Sequence, residues 1–253
     1  MHMTSAALSF RQRLTYTAHF YKAVFKQYQT ALRPLLARHI ASDATVFDVG
    51  AQAAQFTKQF ASLAPKGHIH AFEPGDYARR ILTAVVRLRG LRNVTVVPAG
   101  LSDEPGEAVL SSPIKQSGSI GFGLSHLGPR DGDQRVYATA VSLTTLDLYV
   151  AEHGIRALDF LKADIEGWEV HMLKGGRQTL ARFRPVLLLE INAGFLSRAG
   201  SAPDEVWALL HPLGYRAASV LPDGTLTPVE GFVGDCDYLF TADRTSPGRR
   251  PTA

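Results

Sequence analysis

The sequence predicts an α/β fold in which a doubly wound, mostly parallel sheet carries helices on both faces. Two observations lead there. Short apolar runs alternate along the chain with helical patterns, the order that right-handed crossovers turn into a parallel sheet. The runs are also continuously apolar, as strands covered on both faces require.

The elements follow in order. Thr45–Val49, His68–Phe72, Val94–Pro98 and Phe160–Ala163 read as buried strands between turn signals, and Val186–Ile191 (VLLLEI) is the most apolar of the set. Helical patterns fill the gaps at Ala53–Leu63, Tyr77–Leu88, Leu143–His153 and Glu169–Ala181. A helix at Pro203–Leu210 and strands near Tyr215–Val220 and Asp237–Thr241 complete a domain over residues 41–243. Residues 106–140 break the alternation with a glycine- and serine-rich insertion. Connections of that length often serve as lids, so a hairpin leading into a mobile active-site loop is expected.

Residues 1–40 read as a separate helical cap. Leu14, Ala18, Tyr21, Phe25, Tyr28, Leu32 and Leu35 recur at spacings of four and three and form one apolar stripe, with Lys22, Lys26 and Arg33 on another face. Pro34 either kinks this element or starts a second helix. Three readings stay open: a cap packed on the domain, a homodimer contact, and a basic amphipathic helix on a membrane surface. Residues 244–253, ending in TSPGRRPTA, read as a disordered tail.

Composition narrows the function classes. A chain of 253 residues that is 45% hydrophobic can bury one sizeable core. No stretch approaches the ~18 apolar residues of a membrane-spanning helix, and the N-terminus lacks the layout of a secretory signal. Cys236 is the single cysteine, which rules out an internal disulfide and gives no sign of a zinc site. A cytoplasmic location is expected. The net charge of +4 is spread without a long basic stripe interleaved with aromatics, which argues against a nucleic-acid partner. It supports only a mild preference for anionic substrates or surfaces.

The site begins at VFDVGAQAAQF, residues 46–56. Asp48 and Gly50 end the first strand just before a helix, where open α/β sheets bind ligands. Gly50 allows a tight turn and close backbone approach. Glu73, in AFEP, ends the second strand, where a carboxylate can accept both hydroxyls of a ribose. The turn lacks the GxGxxG pattern that gives a pyrophosphate its free amides. Asp48 would moreover repel a diphosphate and attract an ammonium. A ligand with a ribose, an ammonium and no phosphate fits: S-adenosylmethionine. Three hypotheses are carried forward: a methyltransferase using that cofactor, a nicotinamide-dependent dehydrogenase with a degenerate turn, and a non-catalytic domain that keeps the fold.

The segments VFDVGA, HIHAFEP, NVTVVPAGLSD, LDFLKADIEGWEVHMLKGG and PVLLLEIN, in that order, resemble the FkbM-type methyltransferases. The match runs from about Thr45 to Asn192, and LKADIEGWE, with its KxDxEG pattern, is its most specific part. The resemblance implies a Rossmann-like class I methyltransferase fold, S-adenosylmethionine as donor and S-adenosylhomocysteine as product. It also implies a hydroxyl acceptor on a sugar, polyketide or lipid. By that resemblance Asp48, Gly50 and Gln55 contact the methionine end of the cofactor and Glu73 takes the ribose. Ala99, Gly100, Leu101 and Asp103 wall the adenine, and Asp164 faces the methyl donor from the fourth strand's tip. Two positions depart from the family's GANxG turn: Gln52 replaces Asn and Ala54 replaces Gly. A methyl at Ala54 is expected to crowd the ligand, since overpacking costs ~1–3 kcal/mol.

At the acceptor end the protein must align oxygen, methyl carbon and sulfur, and a hydroxyl acceptor must lose its proton. Asp164, Glu166, His171 and Glu190 are the candidate bases. Glu166 is preferred as base or acceptor contact, its other reading being a cap on the helix that starts near Trp168. Trp168 walls an apolar acceptor or belongs to the core. His171 has a suitable pKa but falls a turn into that helix, where surface histidines are common. The Ser117-Gly118-Ser119 segment resembles one near the family's pocket, so Ser119 is assigned to the acceptor; His126 in the same loop meets the acceptor or solvent. Asp164 and Glu190 with Asn192 form an oxygen set of the kind Mg²⁺ takes. Strand alternation aims Glu190 and Asn192 together only while the strand persists, so no metal is assigned.

Overall fold

The computed structural model describes residues 10–114, 126–127 and 136–242. The chain opens with helix α1 (Phe10–Phe25), a tight helical turn at Thr30–Leu32 and α2 (Arg33–His39). The predicted alternation follows: β1 (Thr45–Val49), α3 (Gln55–Leu63), β2 (His68–Phe72), α4 (Asp76–Leu88) and β3 (Val94–Val97). A block of strands comes next, β4 (Gly100–Ser102), β5 (Gly106–Pro113), β6 (His126–Leu127) and β7 (Val136–Thr145). Then come α5 (Leu146–Glu152), β8 (Phe160–Ala163), α6 (Glu169–Lys174), α7 (Arg177–Phe183) and β9 (Val186–Ile191). The described chain ends with α8 (Ala193–Arg198), α9 (Pro203–Leu210), β10 (Tyr215–Val220), β11 (Leu226–Val229) and β12 (Cys236–Ala242).

The main sheet has the order β11-β10-β12-β9-β8-β1-β2-β3. Strands β3, β2, β1, β8 and β9 are mutually parallel, whereas β12, β10 and β11 continue the sheet by antiparallel pairing. The chain winds one way from β1 to β3 and the other way from β8 to β9. The switch point therefore lies between β1 and β8, and a crevice opens at their carboxyl ends. Register sets the site: Asp48 pairs with Lys162 and Val49 with Ala163, so Gly50 and Asp164 leave the sheet side by side.

Successive strand residues face opposite cores. Phe47, Leu161 and Leu187 join a cluster with Tyr149, Trp207 and Tyr238, while Val46, Phe160 and Leu188 join Phe60, Ile69 and Leu239 on the other side. Both faces are covered, which accounts for the continuously apolar runs.

Three expectations change in detail. The predicted helix from Leu143 starts only at Leu146, because Ser142–Thr145 ends β7 and the Thr145 side chain caps the helix by accepting from the Leu148 N–H. The predicted helix Glu169–Ala181 splits into α6 and α7 around Gly175, where a Cβ would stand 2.0 Å from the Ser102 carbonyl oxygen. The insertion contains the expected hairpin, β5 with β7, extended into a second sheet of order β4-β7-β5-β6. Ser117, Gly118 and Ser119 lie outside the described residues, as do 244–253, and of His126 only its place in β6 is described.

The N-terminal stripe also needs correction. Tyr21, Phe25 and Tyr28 are exposed by 58%, 66% and 47%, and the buried face of α1 is instead Ala23 and Val24, with Tyr16 and Phe20 packed alongside. The reason is that the face carrying Tyr16, His19, Phe20 and Ala23 docks on Tyr77 of α4, and the helix then stops at Phe25, where polar side chains of α3 meet its end. The Lys58 ammonium donates to the carbonyls of Ala23 and Lys26, each at 2.7 Å, and the Tyr28 N–H donates to Gln55 Oε1 at 3.0 Å. Pro34 starts the second helix, α2. Among the described residues no helix is long and apolar enough to cross a membrane.

Candidate active site

The first turn is built by close approach. The Phe72 carbonyl accepts from the N–H groups of Gly50 and Ala51 at 3.1 and 3.0 Å. Gly50 has φ +77, and a Cβ there would lie 2.1 Å from the Asp164 carbonyl oxygen. Only glycine lets β1 and β8 end in contact. Gln52 and Ala54 also take left-handed angles, φ 44 and 67. Ala54 is fully buried in the cluster that holds Ala23 and Tyr77 and lines neither cavity itself, although its neighbours Ala53 and Gln55 line the larger one. The cost of the Gly-to-Ala departure is local backbone strain, about 1–2 kcal/mol.

Two cavities meet at Gly50, Gln52 and Asp164 and form one groove across the strand ends. The larger, about 230 Å³, runs from Asp48 and Lys162 up to Lys22 and Tyr28 of the N-terminal segment. The smaller is bordered by Glu73, Gly100, Leu101, Leu110, Leu127, Glu166 and Trp168.

Glu73 borders the smaller cavity almost fully buried, and its two oxygens accept from the N–H groups of Gln52 (2.9 Å) and Gly75 (2.8 Å). Burial pushes its carboxyl up to about 7, against the pull of those two amides and of Arg79 and Lys162. Asp48 sits at the other end. Its Oδ2 accepts from the Thr57 hydroxyl at 2.6 Å, and its Oδ1 is buried without a hydrogen-bond partner. Burial raises this carboxyl also, with the Lys162 charge opposing. An unpaired buried carboxylate oxygen costs free energy until a donor reaches it. A ligand with an ammonium at one end and a ribose at the other therefore fits the groove.

At the tip of β8, the Lys162 ammonium is buried, lies 3.3 Å from Asp164 Oδ2 and stands 5.1 Å from the centroid of the Phe56 ring. Burial works against its charge, but the carboxylates of Asp164 and Asp48 hold its pKa above the ordinary lysine value. Asp164 is hydrogen-bonded to Glu190 on the neighbouring strand. Burial disfavours ionised Asp164, yet Lys162 and that hydrogen bond keep its carboxyl below the usual range. Burial and then the Asp164 charge push Glu190 up to about 9. The two shifts run in opposite directions, with the charge favoured on Asp164 and the proton on Glu190. Asp237, in register with Glu190 across β9 and β12, adds a third carboxyl to the row.

The remaining candidates divide. Glu166 borders the smaller cavity with φ 55, a left-handed angle of the kind strained functional residues often hold. The N-cap position of α6 is Trp168, whose side chain makes no cap hydrogen bond, and the buried Glu169 accepts from the Ile165 N–H at 3.0 Å. Trp168 borders the same cavity, donates from Nε1 to Ser102 Oγ at 3.0 Å and stacks on His171 at 4.3 Å between centroids. His171 lies outside both linings, with Nε2 at 3.1 Å from the Ala199 carbonyl and Nδ1 at 3.2 Å from Asp103 Oδ1. It braces Trp168 instead of facing the groove, and Asp103 turns toward it. Gly100 and Leu101 border the cavity as expected, while Ala99 packs on the core. Gln55 reaches the larger cavity with Oε1 engaged by Tyr28. Glu190 stands behind Asp164, outside both linings. Asn192 caps α8, accepting from the Phe195 N–H, and donates to Asp235, so it does not complete an oxygen set with Glu190. Among the described residues no group of three or more His, Cys, Asp or Glu side chains is arranged to hold a metal ion.

Sequence reasoning passed over Lys162. Its signal was present: a lysine inside an apolar strand, two residues from Asp164 and so on the same face, needs a buried carboxylate partner. It also passed over His19 and Lys22, which reach the larger cavity from α1.

A doubly wound sheet with a crevice at its switch point and a buried carboxylate at the end of each of its first two strands is the frame of an S-adenosylmethionine-type cofactor domain. Residues 48–217 match the profile of the Methyltransferase FkbM domain. The chain belongs to the FkbM methyltransferases, a family of enzymes that use S-adenosylmethionine. It is 31% identical over 176 residues to the AMB antimetabolite synthetase AmbE of Pseudomonas aeruginosa, covering 58% of this chain and 8% of that protein. It is 24% identical over 150 residues to the 2-O-methyltransferase NoeI of Sinorhizobium fredii, covering 56% of this chain and 61% of NoeI. The chain thus spans less than two thirds of the length of either curated relative. The crystal structure of methyltransferase FkbM from Methylobacillus flagellatus KT superposes with a TM-score of 0.54 at 17% identity. The overlap covers 87% of this chain and 49% of that one, and it shows a shared fold.

Proposed function

We propose that this chain transfers a methyl group from S-adenosylmethionine to a hydroxyl oxygen of a small or glycosylated metabolite. The observation that carries this reading is the groove with Glu73 at one end and the unpaired Oδ1 of Asp48 at the other. The name of NoeI, a 2-O-methyltransferase, supports an oxygen acceptor.

In this reading Glu73 holds the ribose hydroxyls, Gly100 and Leu101 border the adenine, and Asp48 takes the ammonium. When bound, S-adenosylmethionine supplies a methyl group already activated by its sulfonium. The protein then has to align the acceptor and remove its proton. Glu166 is the base or orienting contact, because it lines the groove with Asp164 and Trp168. Asp164, kept ionised by Lys162, places a negative charge at the switch point, and Glu190 holds the proton that would otherwise be lost to a second charge there. Trp168 and Ser119 are assigned to the acceptor. The reading places the reaction in the cytoplasm on a small molecule, with α1 acting as a cap whose exposed Tyr21 and Phe25 leave a face for a homodimer contact.

Calorimetry with S-adenosylhomocysteine and with NAD tests the cofactor. Binding of the first alone is expected. Binding of NAD alone would favour a dehydrogenase, and binding of neither would favour a non-catalytic domain. Incubating extracts with labelled methyl donor, followed by isolation of the labelled product, identifies the acceptor.

A further inference from the structure

We propose that the N-terminal helix is part of the cofactor site, with Lys22 binding the carboxylate at the amino-acid end of S-adenosylmethionine. The proposal rests on the cofactor reading above and extends it to a segment that precedes the matched family region, residues 48–217.

The larger cavity has two unlike walls. On the sheet side lie Asp48, whose buried Oδ1 has no hydrogen-bond partner, and Asp164, already engaged by Lys162. On the cap side lies Lys22, which forms no ion pair among the described residues. Gln52 and Ala53 of the first turn line the same cavity. An α-amino acid carries its ammonium and carboxylate on one carbon. A cavity with an unsatisfied carboxylate on one wall and an unpaired ammonium on the facing wall matches that pair of charges. Lys162, the other cation in the lining, is committed to Asp164 at 3.3 Å. The carboxylate of the ligand is thereby left to Lys22.

Packing fixes where Lys22 stands. The next two residues, Ala23 and Val24, are buried in the cluster with Tyr77 and Ala54. His19, one turn earlier, is hydrogen-bonded to the Tyr77 hydroxyl at 3.0 Å, and Tyr16 meets the same ring edge-on at 5.3 Å. Lys58 ties down the carbonyls of Ala23 and Lys26. The helix is therefore held on both sides of Lys22 by residues of α3 and α4. Cap and cofactor site are coupled: whatever loosens α1 also weakens the hold on the amino-acid end of the donor.

The test uses two nucleosides. S-adenosylhomocysteine carries the amino-acid end, and 5′-methylthioadenosine keeps the adenosine and thioether without it. Calorimetry is run on the wild type and on Lys22→Ala, Lys22→Glu and Lys22→Arg, with thermal unfolding to confirm that each variant folds. Loss of a charge-assisted hydrogen bond should weaken S-adenosylhomocysteine roughly 10- to 100-fold in Lys22→Ala. Lys22→Glu should weaken it further, and Lys22→Arg should recover most of the affinity. Methylthioadenosine should bind all four proteins within about twofold. Unchanged S-adenosylhomocysteine affinity in Lys22→Ala overturns the proposal, as does an equal loss for both nucleosides, which would mean a displaced cap. Wild-type protein that binds neither nucleoside overturns the cofactor reading itself, and this proposal with it.

Discussion

The main-chain N–H of Gln52 donates to Oε2 of Glu73 across 2.9 Å, so the first turn and the acid of the second strand form one unit. With Gly75 on the other oxygen, the carboxylate is aimed before any ligand arrives. Glu73→Ala should weaken S-adenosylhomocysteine binding by about 1.5–3 kcal/mol, the range for hydrogen bonds to a charged group. Calorimetry reads this directly, and unchanged affinity would remove Glu73 from the ribose.

The same carboxyl sets a pH dependence. Burial raises Glu73 to about 7, against Gln52, Gly75, Arg79 and Lys162, and ribose hydroxyls donate best to the ionised form. Binding below pH 7 must therefore release the proton. Affinity should rise by up to about tenfold per pH unit on approach to pH 7 and flatten above it. Glu73→Gln should abolish the slope while keeping the side chain's shape.

Gly50 touches Asp164 closely enough that a methyl has no room, 2.1 Å from a backbone oxygen. Gly50→Ala should destabilise the protein by at least about 2 kcal/mol, adding left-handed strain to overpacking. Thermal unfolding should show a clear drop, and cofactor binding should be lost. A variant with wild-type midpoint and affinity would contradict this geometry.

Ala54 tests the opposite case. Its methyl is buried against the cap, and the residue sits at φ 67. In Ala54→Gly, relief of about 1–2 kcal/mol of strain offsets loss of about 0.8 kcal/mol of burial and the added chain entropy. Stability should change by less than about 1 kcal/mol. Affinity for S-adenosylhomocysteine should stay within about twofold; a tenfold gain would place the methyl against the ligand.

Glu190 gives a stability signature. Its folded pKa, about 9, lies above the ordinary glutamate value because of burial and then the Asp164 charge. Its contribution is complete at low pH and is lost as pH rises toward 9. The unfolding midpoint should fall between pH 7 and 9, and Glu190→Gln should flatten that fall. An unchanged slope would mean that Glu190 shares no proton with Asp164.

Much of the fold was legible because the parallel strands carry their own signal. Val46 and Phe47 are both apolar since each faces a covered side, and the same holds for Phe160 and Leu161. The second sheet was harder to read. Gly106–Pro113 is poor in strand-forming residues at its ends and gains its pairing from Val136–Thr145. Within the site, Asp48, Gly50, Glu73 and Asp164 could be placed because strand ends are fixed by the pattern. His171 could not, since only the docking of Ala199 and Asp103 turns its ring from the groove. The cap was misread because its buried face is set by docking on Tyr77 and its end by Lys58 and Gln55, tertiary facts absent from local spacing.

The most direct test is a crystal structure with S-adenosylhomocysteine. The account predicts both ribose hydroxyls within hydrogen-bond distance of Glu73 and the amino group against Oδ1 of Asp48. A nucleoside bound elsewhere, or one whose ribose and amine leave both carboxylates untouched, would contradict it.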